Sequence, residues 1–211
     1  MLMVFKLIKP ISARIVAAAG LAAALSAPFA CAAENSAKQL TLPEIVRSVE
    51  AIHFGDKQLK EESIAEFAKN LPVSSRFRKP AGVFVTLSKN GKSRACWGNV
   101  FPQQGSIAQA TVYATIGALT REYRYRPIES WEWKQLKPQI TVVQSVDPIT
   151  SIRFQNPLTD GLLVRSGGKA GVLLPGEALD AHYQLVQCKL KAGIQPGEPC
   201  QLYRLRTEIY E

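Results

Sequence analysis

The sequence predicts an α+β fold in which a mixed or antiparallel sheet packs against helices. Two tight-turn signals, Asn90-Gly91 and Ser166-Gly167-Gly168, each lie between two β-type runs and therefore indicate β-hairpins. Around these hairpins, apolar residues recur with helical spacing. Helices interspersed with hairpins favour an α+β architecture, because strands joined by short turns pair antiparallel.

The first predicted element is a helix that starts at a capping-box pattern, Thr41-Leu42-Pro43-Glu44. Gly55 marks the expected end of this helix. Its buried face is predicted to hold Ile45, Val46, Val49 and Ile52. The stretch 57–75 contains further apolar residues at helical spacing, and Pro72 would stop a helix there.

The first hairpin is expected to pair strands 83–87 and 93–97. Ser106 then caps a helix whose small-residue face allows it to lie close to the sheet. The residues of that face are Ile107, Ala110, Thr111, Ala114, Ala118 and Leu119.

The second half of the chain predicts a strand at 136–146, ended by Asp147-Pro148, and a hairpin of 161–165 with 171–174. A helix at 177–190 follows, with Gly193 as its C′ residue, and 201–210 forms a closing strand. The residues expected on the inner side of that helix are Leu179, His182, Leu185 and Val186.

Residues 1–32 form a predicted signal peptide, and 33–40 a flexible leader before a single domain at 41–211. Basic residues precede an apolar run at 15–30, and Ala30-Cys31-Ala32 matches an A-x-A cleavage pattern. The pattern predicts a periplasmic or secreted protein. A lipid anchor on Cys31 is an alternative. After residue 33 no apolar run is long enough to predict a transmembrane segment.

The charge balance is basic, with 26 Lys and Arg against 17 Asp and Glu. A basic surface attracts acidic ligands, membranes or nucleic acid. The charges are scattered along the chain, however, and an exported protein rarely meets nucleic acid. We therefore expect a small anionic molecule or a protein as the partner, and no nucleic acid.

Cys96 is the leading candidate for chemistry. Alternate residues of a strand share a face, so Arg94 and Cys96 are expected to point the same way. A guanidinium near a thiol favours the thiolate, which would make Cys96 a nucleophile. The alternative is a small buried hydrophobe. A thiol hydrolase also needs a base, and neither His53 nor His182 shows a local pairing with Cys96.

The hexapeptide SRACWG at 93–98 resembles the LRGCIG signature of the AMMECR domain family. Arg94, Cys96 and Gly98 match that signature, whereas Ala95 and Trp97 depart from it. EYRYRP at 122–127 resembles the family's DPRFPP-like segment, with Arg124 at its arginine. DGLLVRSGGKAGVLLP at 160–175 and LYRLRTEIY at 202–210 extend the resemblance to about residues 38–210.

The resemblance implies helices on a sheet, with a cleft between a larger and a smaller lobe. It also implies that the protein works in a pathway shared with Memo-type and radical-SAM proteins, as in AmmeMemoRadiSam systems. We expect Arg94, Trp97, Gly98 and Arg124 to bind a small anionic ligand or a partner peptide in the cleft. The alternatives are a thiol enzyme that uses Cys96, an accessory protein that recruits a partner, and arginines that pair with Glu122 or another carboxylate.

Cys188 and Cys200 could form a disulfide in an oxidising compartment, or remain as two reduced thiols. No spacing of Cys and His suggests a zinc site, so no metal ligands are predicted. Nothing in the sequence identifies a cofactor.

Overall fold

A computed structural model describes residues 38–55 and 61–211. The predicted signal peptide and residues 33–37 of the predicted leader lie outside the described residues, so the boundary at residue 41 stays a prediction. The predicted fold class is confirmed. Four helices pack on a six-stranded sheet in which every neighbouring pair is antiparallel.

Helix α1 (Leu42–Phe54) begins where the capping box predicts. The backbone N–H of Glu44 donates to Thr41 Oγ1, and the Thr41 N–H donates to the Glu44 carboxylate at 2.8 Å. Gly55 follows the last helical residue, as expected. Helix α2 (Glu61–Lys69) confirms that the apolar spacing before Pro72 is helical. Both helices bury their apolar residues in the same cluster.

Strands β1 (Gly82–Lys89) and β2 (Lys92–Asn99) form the first predicted hairpin. Asn90 and Gly91 have φ angles of 52° and 75°, as a type I′ turn requires. The pairing shifts register between Leu87 and Ser88, so that Arg94 has no partner opposite it. This β-bulge breaks the strict alternation on which the expected Arg94–Cys96 face depended.

Helix α3 (Ile107–Thr120) starts at Ser106, whose side chain accepts the Gln109 N–H. Nearly all of this helix is buried against α1, β1 and β2, because its small side chains allow close approach. The predicted helix and its cap are both confirmed.

Strand β3 (Lys137–Ile149) is longer than predicted, because it runs through Asp147-Pro148 instead of ending there. Beyond Val143, β3 has left β1 and pairs only with the final strand. No other described strand pairs with the second edge of β3 at that point, and a proline, which cannot donate a backbone hydrogen bond, is tolerated on such an edge.

The second hairpin consists of β4 (Asp160–Ser166) and β5 (Lys169–Leu173), and the chain closes with β6 (Gln201–Tyr210). Gly167 has a φ of 55°, consistent with the predicted turn. The strand order is β2-β1-β3-β6-β4-β5, which leaves β2 and β5 at the two edges. Residues of both edge strands line one cleft, so the sheet is strongly curled.

Helix α4 (Ala181–Ala192) differs from the predicted helix in both start and orientation. Asp180 is its N-cap and accepts the Tyr183 N–H at 2.8 Å, so the helix begins after residue 180 instead of at 177. Gln184 and Cys188 face the interior, whereas Leu179, His182 and Val186 are exposed. Of the four residues expected on the inner side, only Leu185 packs against the core. Gly193 ends the helix in the left-handed conformation, as predicted.

Two apolar clusters form the core. The larger joins α1, α2 and α3 to β1, β2 and the first half of β3, and the smaller joins α4 to β4 and β5. Cys188 and Cys200 both belong to the smaller cluster, but both are free thiols, so the predicted disulfide is not formed in this structure. The Cys188 thiol instead donates to the Leu162 carbonyl oxygen at 3.2 Å, and burial raises the pKa of Cys188 to about 12.

Candidate functional site

The candidate site is a cleft between the two edges of the curled sheet. One wall is formed by β1, β2 and the segment after α3, and the other by β5, the loop after it and α4. The residues that line the cleft are Phe84, Cys96, Trp97, Gly98, Glu122, Tyr123, Arg124, Val172, Leu174, Glu177 and Lys191. Four of the predicted site residues, Cys96, Trp97, Gly98 and Arg124, are therefore brought together here.

Cys96 is opposite Thr86 on β1, and Thr86 Oγ1 is 3.3 Å from Cys96 Sγ. Burial raises the pKa of the Cys96 thiol, and the nearby Glu177 carboxylate acts in the same direction. The hydrogen bond from Thr86 and the charges of Arg124 and Lys191 oppose this shift without reversing it. The thiol is therefore protonated at neutral pH in this structure.

Glu122 and Arg124 cover the free edge of β2 at Cys96. The Cys96 N–H donates to Glu122 Oε2 at 3.1 Å, and Arg124 donates to the Cys96 carbonyl oxygen at 3.3 Å. Arg124 also binds both carboxylate oxygens of Glu122. An acidic and a basic side chain thus take the place of a neighbouring strand at this one residue.

The Glu122–Arg124 pair is held firmly in its charged form. Burial opposes ionisation of the Glu122 carboxyl, but hydrogen bonds from Arg124 and from the Cys96 N–H outweigh it and lower the pKa of Glu122 to about 2. The hydrogen bonds from Arg124 to the Glu122 carboxylate also raise the pKa of Arg124. The pairing of Arg124 with Glu122 was one of the alternatives left open by the sequence.

The opposite wall carries a second ion pair. Lys191 Nζ lies 3.4 Å from Glu177 Oε2 and donates to the Val172 carbonyl oxygen on β5 at 3.2 Å. The Glu177 carboxylate also accepts the Leu174 N–H at 2.8 Å, which fixes the loop after β5. Each wall of the cleft therefore presents one acidic and one basic group, and each of these groups already has a partner.

Arg94 is directed away from the cleft. Its guanidinium binds both carboxylate oxygens of the buried Glu132, at 2.9 and 3.1 Å, and donates to the Pro127 carbonyl oxygen at 2.9 Å. The hydrogen bonds from Arg94 lower the pKa of Glu132. The expected activation of Cys96 by Arg94 is not found, because Arg94 is committed to Glu132 and the thiol pKa is raised.

Gly98 brings backbone groups to the cleft. Residues of an antiparallel strand alternate between those that bond to the neighbour and those that face outward. The N–H and C=O of Cys96 face outward, since they bind Glu122 and Arg124, and those of Gly98, two residues on, face the same way. A side chain is excluded at this position, because a Cβ on Gly98 would lie 2.2 Å from the Val83 carbonyl oxygen.

The cleft continues into a larger groove across the face of the sheet. The two spaces share Leu174 and Glu177 in their walls. The groove is lined by Thr86, Ser88 and Ser93 from the first hairpin, by the start of β3, and by the loop 174–177. The hydrogen-bonded pair of Thr86 and Cys96 therefore stands at the junction of the cleft and the groove.

Neither histidine of the described chain reaches the cleft. His53 stacks edge-on against Phe54, and burial lowers its pKa. His182 is exposed on α4. Within residues 38–55 and 61–211, no group of three or more His, Cys, Asp or Glu side chains is placed to hold a metal ion, and no helix is long and apolar enough to cross a membrane.

Comparison with known proteins identifies the fold and the family. The family model for AMMECR1 matches residues 47–211, which is most of the chain. The chain belongs to the AMMECR1 family. A protein from Thermotoga maritima is 32% identical over 139 residues, or 64% of this chain and 80% of that protein. A protein from Methanocella arvoryzae is 30% identical over 149 residues, or 64% and 75% of the two chains.

One solved structure supports the fold of this AMMECR1 protein. The crystal structure of an uncharacterised protein from Pyrococcus horikoshii is similar, with a TM-score of 0.64 over 80% of this chain and 88% of that chain. The two sequences are 23% identical, so the likeness concerns the fold alone.

Several residues of the cleft were not predicted from the sequence. Glu177 and Lys191 are 14 positions apart and come together only because α4 folds back on β5. Phe84 and Thr86 lie in a β-type run with no local sign of a site. Glu122 was predicted only as a carboxylate that an arginine could pair with. Its position two residues before Arg124 was the sequence feature that indicated this pairing.

Proposed function

We propose that this AMMECR1 protein is a binding domain that holds a short extended peptide segment in the cleft and the adjoining groove. The observation that carries this proposal is the edge of β2. At Cys96 the outward backbone groups are covered by Glu122 and Arg124, and at Gly98 the next outward pair opens into the cleft. Peptides commonly bind to exposed sheet edges through such backbone groups.

The charges of the cleft favour a peptide over a small anion. The two cations, Arg124 and Lys191, are each paired with a carboxylate, so the four charged side chains sum to no net charge. A free anion would have to compete with Glu122 and Glu177 for these cations. A peptide backbone instead offers both hydrogen-bond donors and acceptors. Its N–H groups can bind the carboxylates, and its carbonyl oxygens can bind the cations.

The size and lining of the space also suit a peptide. The cleft has a volume of about 220 Å³, and the adjoining groove has about 680 Å³. Phe84, Val172 and Leu174 provide an apolar surface for one side chain, and the hydroxyl groups of Thr86, Ser88 and Ser93 follow along the groove. Such a mixture of apolar walls and a few polar groups is typical of ligand sites.

A display library of random heptapeptides tests this proposal. Peptides selected on the wild-type protein are measured by calorimetry against Ser88→Trp, which fills the groove, and Tyr123→Ala, which removes a wall of the cleft. Phe154→Ala is the matched control, because Phe154 is likewise an exposed aromatic residue and does not line the cleft.

We expect Ser88→Trp and Tyr123→Ala to lose at least tenfold in affinity and Phe154→Ala to bind like wild type. Inorganic phosphate and acetate serve as small-anion probes. The anionic ligand would be favoured instead if no peptide were selected and either probe bound saturably. Arg124→Ala should then abolish the binding of that probe. Peptides that bind all the variants with equal affinity would contradict the proposal that the groove is the binding site.

The thiol enzyme has less support than the binding domain. A nucleophilic cysteine needs a lowered pKa and a nearby base. The pKa of Cys96 is raised, and among the described residues no histidine lines the cleft. Cys96→Ser should therefore leave peptide affinity within about threefold of wild type, since the peptide would bind beside the thiol and not through it.

We also propose that the protein is exported. The basis is the sequence of residues 1–32, in which basic residues, an apolar run and the small-residue pattern at 30–32 occur in the order of a signal peptide. Export would separate this AMMECR1 protein from radical-SAM partners, which work in the cytosol. A peptide ligand would then come from the same exported compartment.

A further inference from the structure

The free edge of β5 turns backbone groups toward the cleft, as β2 does on the other side. Hydrogen-bonded and non-bonded pairs alternate along an antiparallel hairpin, starting from the bonded pair next to a two-residue turn. In the hairpin of β4 and β5 that first pair is Ser166 with Lys169. Val172 belongs to the fourth pair, so its N–H and C=O face outward. The hydrogen bond from Lys191 to the Val172 carbonyl oxygen, at 3.2 Å, agrees with this orientation.

An ion pair covers outward backbone groups on each edge in the same way. On β2 the Glu122–Arg124 pair binds the N–H and the C=O of Cys96. On β5 the Glu177–Lys191 pair accepts the N–H of residue 174 and donates to the C=O of residue 172. Each pair therefore takes the place of a neighbouring strand. Because the two members of each pair also contact each other, their charges stay matched when they release the backbone.

The topology of the sheet suits one additional strand between β2 and β5. These strands are the two ends of the strand order and line the same cleft. Every neighbouring pair is antiparallel, so β2 and β5, five steps apart, run in opposite directions. A strand inserted between them is antiparallel to one edge and parallel to the other, and both pairings occur in sheets.

The distance between the walls is on the scale of such an inserted strand. One strand between two edges separates them by about 10 Å, twice the ordinary strand spacing. The charges of Glu177 and Lys191 on the β5 side act on the Cys96 thiol on the β2 side. Interactions between charges are largely screened beyond about 10 Å. The two edges therefore lie close enough for one peptide to reach both.

We propose that the bound peptide pairs with both edges and completes the six-stranded sheet as a closed barrel of seven strands. This inference rests on the proposed peptide binding and adds the second edge to it. Alternate residues of the peptide bond to β2 and to β5, so every N–H of the paired stretch has a partner. Each edge offers two outward residues, so this stretch is about four residues long. The partner is an extended segment of another protein without proline in that stretch.

The walls of the cleft also select the side chains of the peptide. Every second side chain of a strand points to the same face. Phe84 on β1 and Val172 on β5 both line the cleft, so the inward side chains of the peptide meet an apolar surface. The Phe84 ring also occupies the space beside Gly98, where a Cβ would lie 2.7 Å from Phe84 Cδ1. We therefore expect selected heptapeptides to carry Val, Ile or Phe at every second position.

An N-methyl scan of a heptapeptide selected on the wild-type protein tests the pairing. Each peptide residue in turn is N-methylated, which removes one backbone donor, and the affinity is measured by calorimetry. Pairing with both edges predicts a loss of about fivefold or more at each of four consecutive positions. Losses at alternate positions only would place the peptide on one edge, which overturns this inference and leaves the proposed binding domain standing. No loss at any position, or no selected heptapeptide, would overturn both.

Two proline variants of β5 test the second edge on the protein itself. Val172→Pro removes an outward N–H in the cleft, and Ala170→Pro removes the preceding outward N–H, which lies outside the lining of the cleft. Neither change breaks the ladder to β4, because both residues are in non-bonded pairs. We expect Val172→Pro to weaken heptapeptide binding about fivefold or more, and Ala170→Pro to bind like wild type. Equal affinities of the two folded variants would overturn the inference.

Hydrogen exchange on the wild-type protein answers the same question without a substitution. A saturating concentration of the selected heptapeptide should slow exchange of the Gly98 and Val172 amides about tenfold or more. The amide of Gly168, in the turn of the second hairpin, is the control and should exchange at an unchanged rate. Protection of Gly98 without Val172 would show a peptide on β2 alone and would overturn the closed barrel.

Discussion

The indole ring of Trp97 on β2 packs tightly against Gly117 on α3. A Cβ on Gly117 would lie 2.1 Å from Trp97 Cδ1 and 2.5 Å from its Nε1. Trp97 is also one of the residues that line the cleft, so α3 packs directly against a residue of the cleft. The family resemblance places an isoleucine at this position, and the larger ring is accommodated here by a residue without a side chain.

Replacing Gly117 with alanine should therefore destabilise the protein by about 1–3 kcal/mol, as overpacking of a core usually does. Alanine is the better helix former, so a loss of stability would be due to the ring and not to the backbone. Urea unfolding measures the change. Gly168→Ala is the control, since a Cβ there meets nothing within 4 Å. Equal stability of Gly117→Ala and wild type would show that Trp97 can move aside.

Glu122→Gln should cost about 1–3 kcal/mol at pH 7, because it breaks an ion pair and weakens the cover over Cys96. The pKa of Glu122 is about 2 in the fold, against an ordinary value of 4.5. A lowered pKa stabilises the fold above pH 4.5, and this stabilisation is lost as the pH falls toward 2. The difference between wild type and Glu122→Gln should shrink over that range. If the difference in unfolding free energy stayed constant from pH 7 to pH 2, the loss of stability would come from the changed side-chain shape and not from the charge.

How much of the fold was predictable depends on how local each signal is. The following features depend on a few adjacent residues, and all are confirmed: the turn at Asn90-Gly91, the helix caps at Thr41 and Ser106, and the end of α4 at Gly193. The passage of β3 through Pro148 was not predicted, because it depends on where β1 stops pairing.

The orientation of α4 and half of the cleft depend on distant contacts in the same way. The apolar residues of α4 suggested its inner side, but Gln184 and Cys188 occupy that side, where backbone carbonyls of residues 160 and 162 accept their hydrogen bonds. In the cleft, Cys96, Gly98 and Arg124 were identified through short motifs. Glu177 and Lys191 belong to no motif, and only the packing of α4 on β5 brings them to the site.

The rate at which iodoacetamide alkylates Cys96 should still be rising at pH 9.0, the ordinary pKa of a thiol, and should level off only at higher pH, because burial raises the pKa of Cys96. Arg94→Ala should leave the profile unchanged, since Arg94 binds Glu132. Thr86→Val should shift it to higher pH, since the Thr86 hydrogen bond lowers the thiol pKa. Mass spectrometry separates Cys96 from Cys200. A plateau reached near neutral pH would restore the nucleophile hypothesis.

Glu50 on α1 should make the protein more stable in mild acid than at neutral pH. Its side chain is fully buried, and Oε1 has no hydrogen-bond partner in the described chain, although Arg47 binds Oε2 at 2.8 Å. Burial raises the pKa of Glu50, and Arg47 only partly offsets this. For a carboxyl with a raised pKa, the favourable contribution is present below the unfolded pKa and is lost as the pH rises through the folded pKa.

The variant Glu50→Gln keeps the shape of the side chain and removes its charge. We expect its unfolding free energy to depend less on pH than that of wild type as the pH rises above 4.5, the ordinary value for a glutamate carboxyl, as measured by urea titrations. Glu50→Asp is the control, because it keeps the carboxyl and should keep the pH dependence. Identical slopes for wild type and Glu50→Gln would show that Glu50 does not titrate in this range.

Export should remove residues 1–32 and leave Ala33 as the first residue of the mature protein. A signal peptidase recognises small side chains one and three positions before the cleaved bond, and Ala32 and Ala30 occupy these two positions. The intact mass and the N-terminal peptide of protein from the periplasmic fraction measure the cleavage. Ala32→Leu should accumulate as uncleaved precursor, whereas Ala33→Leu, on the far side of the bond, should be processed. Cleavage before Cys31 with an added lipid mass, lost in Cys31→Ser, would establish the anchored alternative, and full-length protein in the cytosol would contradict export.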